Sequence, residues 1–97
     1  MKLQHRTYVG TSEIHGKGLF ARRDISKGEY IGTFQGPAAK RDGSHVLWIY
    51  DDENWVGRRG RNNLRYLNHA EDYNAEFEDF DLYALVDISE HEEITIN

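Results

Sequence analysis

Two short stretches of this chain, one arginine and a scatter of aromatic residues have the types and spacing to do chemistry. Gly16-Lys17-Gly18 sets two glycines around a lysine. A loop of that kind lets backbone N–H and C=O groups come close to a ligand; the alternative is a tight hairpin turn that binds nothing. Asn68-His69 joins an amide to an imidazole. Both groups bond the polar edges of ligands, or, on the competing reading, only tie down a loop. Arg65 supports the same region or forms a surface ion pair. Phe34, Trp48, Tyr50, Trp55 and Tyr66 are aromatic faces able to wall a channel for a cation. Their competing role is core packing in a small β domain.

Other chemistries lack their residues. The chain has no cysteine, which excludes disulfides, thiol nucleophiles and thiolate metal sites. Its five histidines are scattered and make none of the close pairs of zinc motifs, so no metal is expected. There is no G-x-S-x-G elbow for a serine hydrolase. The segment from Gly10 to Lys17 has glycines one residue too far apart for a phosphate-binding loop, with Gly18 where Ser or Thr is required. Acid pairs such as Glu92-Glu93 are too common to imply glycosidase chemistry.

The elements that must position these groups are short. With 97 residues, one proline and glycines at close intervals, the chain reads as one domain of strands and turns. Strands are expected at Arg6 to Val9, Gly18 to Ala21, Glu29 to Phe34, Val46 to Tyr50, Asn54 to Val56, Leu82 to Val86 and Glu93 to Ile96. A hairpin turn is expected at Asp51, Asp52 and Glu53, and a short helical turn within Gly60 to Leu67. No segment shows three turns of amphipathic helix. Ala21 to Ile31 and Ala84 to Ile94 repeat Ala, Asp-Ile-Ser, Glu and Ile at equal spacing. This predicts two similar strand-turn-strand units with Asp and Ser bonded to the turn backbone.

The net charge is −5, which disfavours nucleic acid and favours basic partners. Glu71, Asp72, Glu76, Glu78, Asp79 and Asp81 form an acidic stretch; Arg58, Arg59, Arg61 and Arg65 form a basic one. No apolar run has membrane-spanning length, and Met1 to Gly10 lacks a signal-peptide stretch. The expectation is an intracellular chain, cytoplasmic or nuclear.

Taken in order, three motifs resemble the SET domain family of protein-lysine methyltransferases. Gly16-Lys17-Gly18-Leu19-Phe20-Ala21 is like its G-x-G-hydrophobic-hydrophobic-A. Arg65-Tyr66-Leu67-Asn68-His69-Ala70-Glu71-Asp72-Tyr73-Asn74-Ala75 is like its R-F-x-N-H-S-C-x-P-N-A. Glu92-Glu93-Ile94-Thr95-Ile96-Asn97 is like the start of its closing G-E-E-L-T-x-x-Y. Asp24 to Glu29 and Asp87 to Ser89 match its recurring D-I-x-x-G-E. The likeness runs from about Thr7 to Asn97.

The resemblance implies a mostly β fold, a SET-type β-clip of short strands with a knot-like C-terminal crossing and one short helical turn. It implies S-adenosylmethionine held by Lys17, Gly18 and Leu19, mostly through main chain, and by Arg65, Asn68 and His69. It implies a lysine channel, for which Phe34, Tyr50 and Tyr66 are the candidates, and a lysine-bearing protein or basic peptide, possibly a histone, as partner. The reaction would need the lysine amine neutral. At a pKa of about 10.4, only about one in a thousand is so near pH 7, and an apolar channel beside a sulfonium would lower that pKa.

The sequence also departs from the family pattern. The closing motif's tyrosine would follow Asn97, so no catalytic residue is assignable, and the domain, residues 1–97, is expected to be cut short. Ala70, Glu71, Tyr73 and His91 replace the usual Ser, Cys, Pro and Gly, and Phe34 stands where many members carry tyrosine. An inactive SET-like binding module is therefore the alternative to an enzyme.

Overall fold

The computed structural model describes residues 3–97; Met1 and Lys2, the first two of the expected single domain, lie outside the described residues. Among the described residues, ten short strands form three small sheets. In the first, β1 (Thr7–Thr11) and β2 (Lys17–Ala21) make an antiparallel hairpin. The closing strand β10 (Glu93–Ile96) pairs antiparallel with β2 on one side and parallel with β7 (Asn68–His69) on the other. The second sheet orders β3 (Tyr30–Thr33), β9 (Asp81–Ala84) and β8 (Ala75–Glu78). The third orders β4 (Ala38–Ala39), β6 (Asn54–Arg59) and β5 (Val46–Asp51).

The mostly β expectation holds, and the strand ends differ in instructive ways. The strand at Leu82 begins at Asp81 and stops at Ala84, because the chain then turns into the second Asp-Ile-Ser unit. β6 runs on to Arg59, since β5 pairs Val46 with Arg59 and β4 pairs Ala38 with Arg58 and Ala39 with Gly57. The β5–β6 turn narrows to Asp52 and Glu53, both with positive φ (47° and 66°). A two-residue turn with two such residues matches the twist of the flanking strands. The expected helical turn is a 3-10 turn at Asn63–Tyr66 that buries Leu64. A second helical turn at Leu3–Arg6 was not expected.

The core is Leu19, Ile25, Ile31, Leu64, Leu82, Ile88 and Ile94, each at most 1% exposed, with small Ala21, Ala75 and Ala84 between them. In β10, Ile94 and Thr95 are both buried although they point to opposite faces. Beside Thr95, Asn74 bonds the edge of the strand. Its amide nitrogen donates to the Glu93 carbonyl (2.9 Å), its Oδ1 accepts the Thr95 N–H (2.9 Å), and its N–H donates to the Thr95 carbonyl (3.2 Å). The closing strand is thus held between β2 and β7 and tied along its backbone to Asn74.

The internal echo is a pseudo-twofold clasp. Ile25 and Ile88 exchange both backbone hydrogen bonds at 2.8 Å. Asp24 Oδ1 accepts the Glu90 N–H (2.8 Å), and Asp87 Oδ1 accepts the Lys27 N–H (2.9 Å). Glu29 and Glu92 each accept the N–H of the serine three residues before them, Ser26 and Ser89. Gly28 (φ 83°) and His91 (φ 69°) occupy the same left-handed position in the two copies. Their N–H groups donate to Ala84 and Ala21 respectively. The serines contribute through backbone rather than through the hydroxyls that were expected to bond.

Candidate functional site

The β1–β2 turn builds one wall. The Ser12 N–H donates to the Gly16 carbonyl (2.8 Å), while the Ser12 hydroxyl accepts the Ile14 and His15 N–H groups (2.9 and 3.3 Å). Gly16 sits at φ 47°, and no atom lies within 4 Å of where a Cβ would stand. Glycine there answers a backbone need in the region that L side chains disfavour.

The opposite wall is the stretch from Arg65 to His69. The Asn68 side-chain nitrogen lies within hydrogen-bond reach of the His15 carbonyl (3.1 Å), the Lys17 carbonyl (3.0 Å) and Glu93 Oε2 (2.9 Å). Glu93 also accepts the Ser12 hydroxyl through both oxygens (2.8 and 2.9 Å). A Cβ on Gly18 would collide with that carboxylate and stand 3.0 Å from Ser12 Cβ. Glu93 is therefore the joint between the two walls, and Gly18 is glycine because the carboxylate packs against it.

Between the walls lies a cleft of about 580 Å3, a size typical of small-molecule sites. His15, Gly16 and Lys17 line one side; Arg65, Tyr66, Asn68 and His69 line the other. Its apolar surface comes from Phe34, Leu47, Leu64, Leu67, Phe77 and Ile96. Two cations approach the Tyr66 ring, Arg65 at 4.4 Å from the centroid and Lys17 Nζ at 5.8 Å. Arg65 also donates to the carbonyls of Arg61 (2.8 Å) and Asn62 (2.9 Å) and to the Tyr66 hydroxyl (2.8 Å). Its head group is fixed in place.

A second hollow of about 380 Å3 opens beside it, lined by Leu47, His69, Tyr73, Glu76, Phe77 and Ile96, with Ala75 and Asn97. Leu47, His69, Phe77 and Ile96 line both spaces. Glu71, Asp72, Glu76, Glu78 and Asp79 are exposed in the same part of the chain.

The expected site residues divide. Lys17, Arg65, Asn68, His69, Phe34 and Tyr66 come together around the cleft. Gly18 and Leu19 lie behind it. Gly18 is buried against Glu93, and Leu19 is 0% exposed, with β1 and β10 occupying both edges of its strand. Tyr50 lines neither space. It is 61% exposed near the hairpin tip, where its ring meets Trp55 at 5.2 Å, because the β5–β6 turn projects beyond the core. Trp48 covers Gly57 and donates to Asp42 (3.2 Å). His15, Gly16, Ser44 and His45 line the cleft without having been singled out for it. For Gly16 the signal was available in the same glycine motif; for the loop residues Ser44 and His45 no residue pattern announced it. Among the described residues no group of three His, Asp or Glu side chains gathers to hold a metal ion.

The family model described as SET domain matches residues 16–97. The chain belongs to the SET domain family. This SET domain is 31% identical over 87 residues to the histone-lysine N-methyltransferase EZ1 of Zea mays, covering 76% of the chain and 9% of that protein. It is 26% identical over 83 residues to the histone-lysine N-methyltransferase MEDEA of Arabidopsis thaliana, covering 72% and 12%. It thus spans about a tenth of the length of these relatives. Among solved structures, the methyltransferase domain of human histone-lysine N-methyltransferase SETMAR superposes with a TM-score of 0.80 at 21% identity, over 92% of this chain and 42% of that one. The Polycomb repressive complex 2 of Chaetomium thermophilum gives 0.79 at 25%, over 94% and 15%. A ctPRC2 structure bound to S-adenosylmethionine gives the same values.

Proposed function

We propose that this SET domain binds S-adenosylmethionine in the cleft between the Gly16 turn and the Arg65–His69 stretch, and methylates the side-chain amine of a lysine entering from the second hollow. The observation that carries this reading is the sharing of Leu47, His69, Phe77 and Ile96 by the two spaces. A donor on one side and a lysine on the other would meet at those residues. The likeness to the Zea mays and Arabidopsis thaliana enzymes supports the same chemistry.

The residues present fit such a donor. Lys17 and Arg65 suit a carboxylate, the backbone around Gly16 and Leu67 to His69 suits polar edges, and Leu64 and Leu67 suit an apolar ring. When bound, the donor would supply a methyl group on a positively charged sulfur. The chain's own part is alignment and desolvation. Phe34, Leu47, Phe77 and Ile96 offer the lysine apolar walls, which disfavour its charged form and lower its pKa. Glu76 and the neighbouring acids draw a basic peptide towards the second hollow.

Labelled S-adenosylmethionine incubated with basic lysine peptides tests the reading. The chain is assayed both as it stands and extended past Asn97 along its own gene. Transfer of label to lysine, lost in His69→Ala, is the expected result. Absence of label from both forms would overturn the enzymatic reading and leave a binding module.

A further inference from the structure

The basic run from Arg58 to Arg65 has no role in the proposed reaction beyond Arg65, and the structure separates its members. Arg58 turns inward, donating to the Phe34 carbonyl (3.0 Å) and lying 3.9 Å from the Phe80 centroid. Arg59 and Arg61 are exposed, and among the described residues neither forms an ion pair. Together with Arg65, Ser44, His45 and Gly60 they line an open hollow of about 550 Å3 with no carboxylate in its wall. In a chain of net charge −5, an unneutralised arginine hollow stands against the overall balance.

The hollow is built on fixed backbone. Arg59 N–H donates to the Pro37 carbonyl (3.0 Å), Gly60 N–H to the His45 carbonyl (2.7 Å), and Arg61 N–H to the Gln35 carbonyl (2.8 Å). Alternating partners keep this segment extended, and residues two apart in an extended chain share a face. Gly60 makes the floor. A Cβ there would stand 2.7 Å from Phe34 Cζ and 2.8 Å from Arg65 Cβ. Only glycine lets Arg65 approach this closely. The hollow adjoins the cofactor cleft, with which it shares Ser44, His45 and Arg65, but Arg59 and Arg61 lie outside that cleft.

We infer that the Arg59–Arg61–Arg65 hollow is a binding site for a single phosphate-type oxyanion. Guanidinium groups match phosphate oxygens in charge and in the spacing of their N–H donors. The Ser44 hydroxyl and the His45 ring add hydrogen-bonding capacity at the rim. Two exposed arginines and a third lining one hollow suit one compact anion, whereas a nucleic acid would need a basic track along the surface. The anion comes either as free phosphate or as a phosphoryl group on a peptide side chain, and the chemistry of recognition is the same.

Amide and arginine side-chain NMR of the whole chain tests this, with inorganic phosphate, a phosphoserine peptide and its unphosphorylated twin titrated against chloride at matched ionic strength. Saturable shifts at Ser44, His45, Gly60 and the Arg59 and Arg61 head groups are expected with phosphate, the phosphopeptide or both. The stronger of the two identifies the source. Arg59→Gln/Arg61→Gln should weaken phosphate binding at least about tenfold, with near-ultraviolet circular dichroism and S-adenosylmethionine binding unchanged. Phosphate shifts no larger than those of chloride would overturn the proposal. So would a folded double variant that binds phosphate as before, or duplex DNA binding with a steep salt dependence through the same residues.

Discussion

The Asn68 amide reaches the Lys17 carbonyl at 3.0 Å, across fifty-one residues of sequence. The same nitrogen lies 2.9 Å from Glu93, which fastens Ser12. Two remote motifs are therefore neighbours because an asparagine and a glutamate tie them. The donated hydrogens of Asn68 belong to the protein, and its backbone lies in the ladder between β7 and β10.

That tie has a measurable strength. Asn68→Ala leaves the Glu93 carboxylate and the Lys17 carbonyl short of a donor. A loss of about 1–3 kcal/mol of stability is expected in denaturant unfolding, together with weaker S-adenosylmethionine binding. Asn68→Asp, which sets a second carboxylate beside Glu93, should be worse than Asn68→Ala.

Gly18→Ala should cost more than its surroundings suggest. The added methyl meets the Glu93 carboxylate and Ser12 Cβ, and Glu93 cannot retreat without breaking its bonds. An expected loss of about 1–3 kcal/mol is read from thermal unfolding. A fully tolerated Gly18→Ala would show that the two walls are not locked there.

The clasp predicts matched losses. Asp24 and Asp87 each cap the turn of the other copy, at 2.8 and 2.9 Å. Asp24→Ala and Asp87→Ala should each cost about 0.5–2 kcal/mol, and the two values should agree within about 0.5 kcal/mol. A large cost for only one of them would break the equivalence.

Glu29 ties Arg6 (2.8 Å) and Arg23 (2.9 Å) to the first copy of the clasp, with its side chain 21% exposed. The Arg6 bond, then the Ser26 N–H and Arg23, hold its carboxyl below the usual range against an opposing effect of burial. A lowered folded pKa means that this contribution is complete above the unfolded value of about 4.3 and is lost as pH falls below it through the folded value. Urea unfolding of the wild type should weaken across that acid window. Glu29→Gln should be less stable at neutral pH and flatter within the window.

Much of this arrangement was legible in residue types. β-Branched and aromatic residues clustered between glycines and turn residues located β1, β2, β3, β5, β6, β9 and β10, and the repeated Asp-Ile-Ser units announced two similar turns. What the sequence hid follows from physics. β4 and β7 are two residues long and exist only because β6 and β10 pass beside them. β8, Ala-Glu-Phe-Glu, does alternate, but its charged outer face masks the pattern. Tyr50 has the composition of a channel wall, but the turn at Asp52 and Glu53 carries it away from the core. Gly18 reads as a ligand contact because glycine lets something come close; that something is Glu93.

The central claim is that the cleft between the Gly16 turn and the Arg65–His69 stretch holds the methyl donor. Amide NMR during titration with S-adenosylmethionine tests it most directly. Saturable shifts at His15, Gly16, Lys17 and from Arg65 to His69, with Tyr50 and Trp55 unmoved, are predicted. No shifts at millimolar donor, or shifts confined to the hairpin, would contradict it.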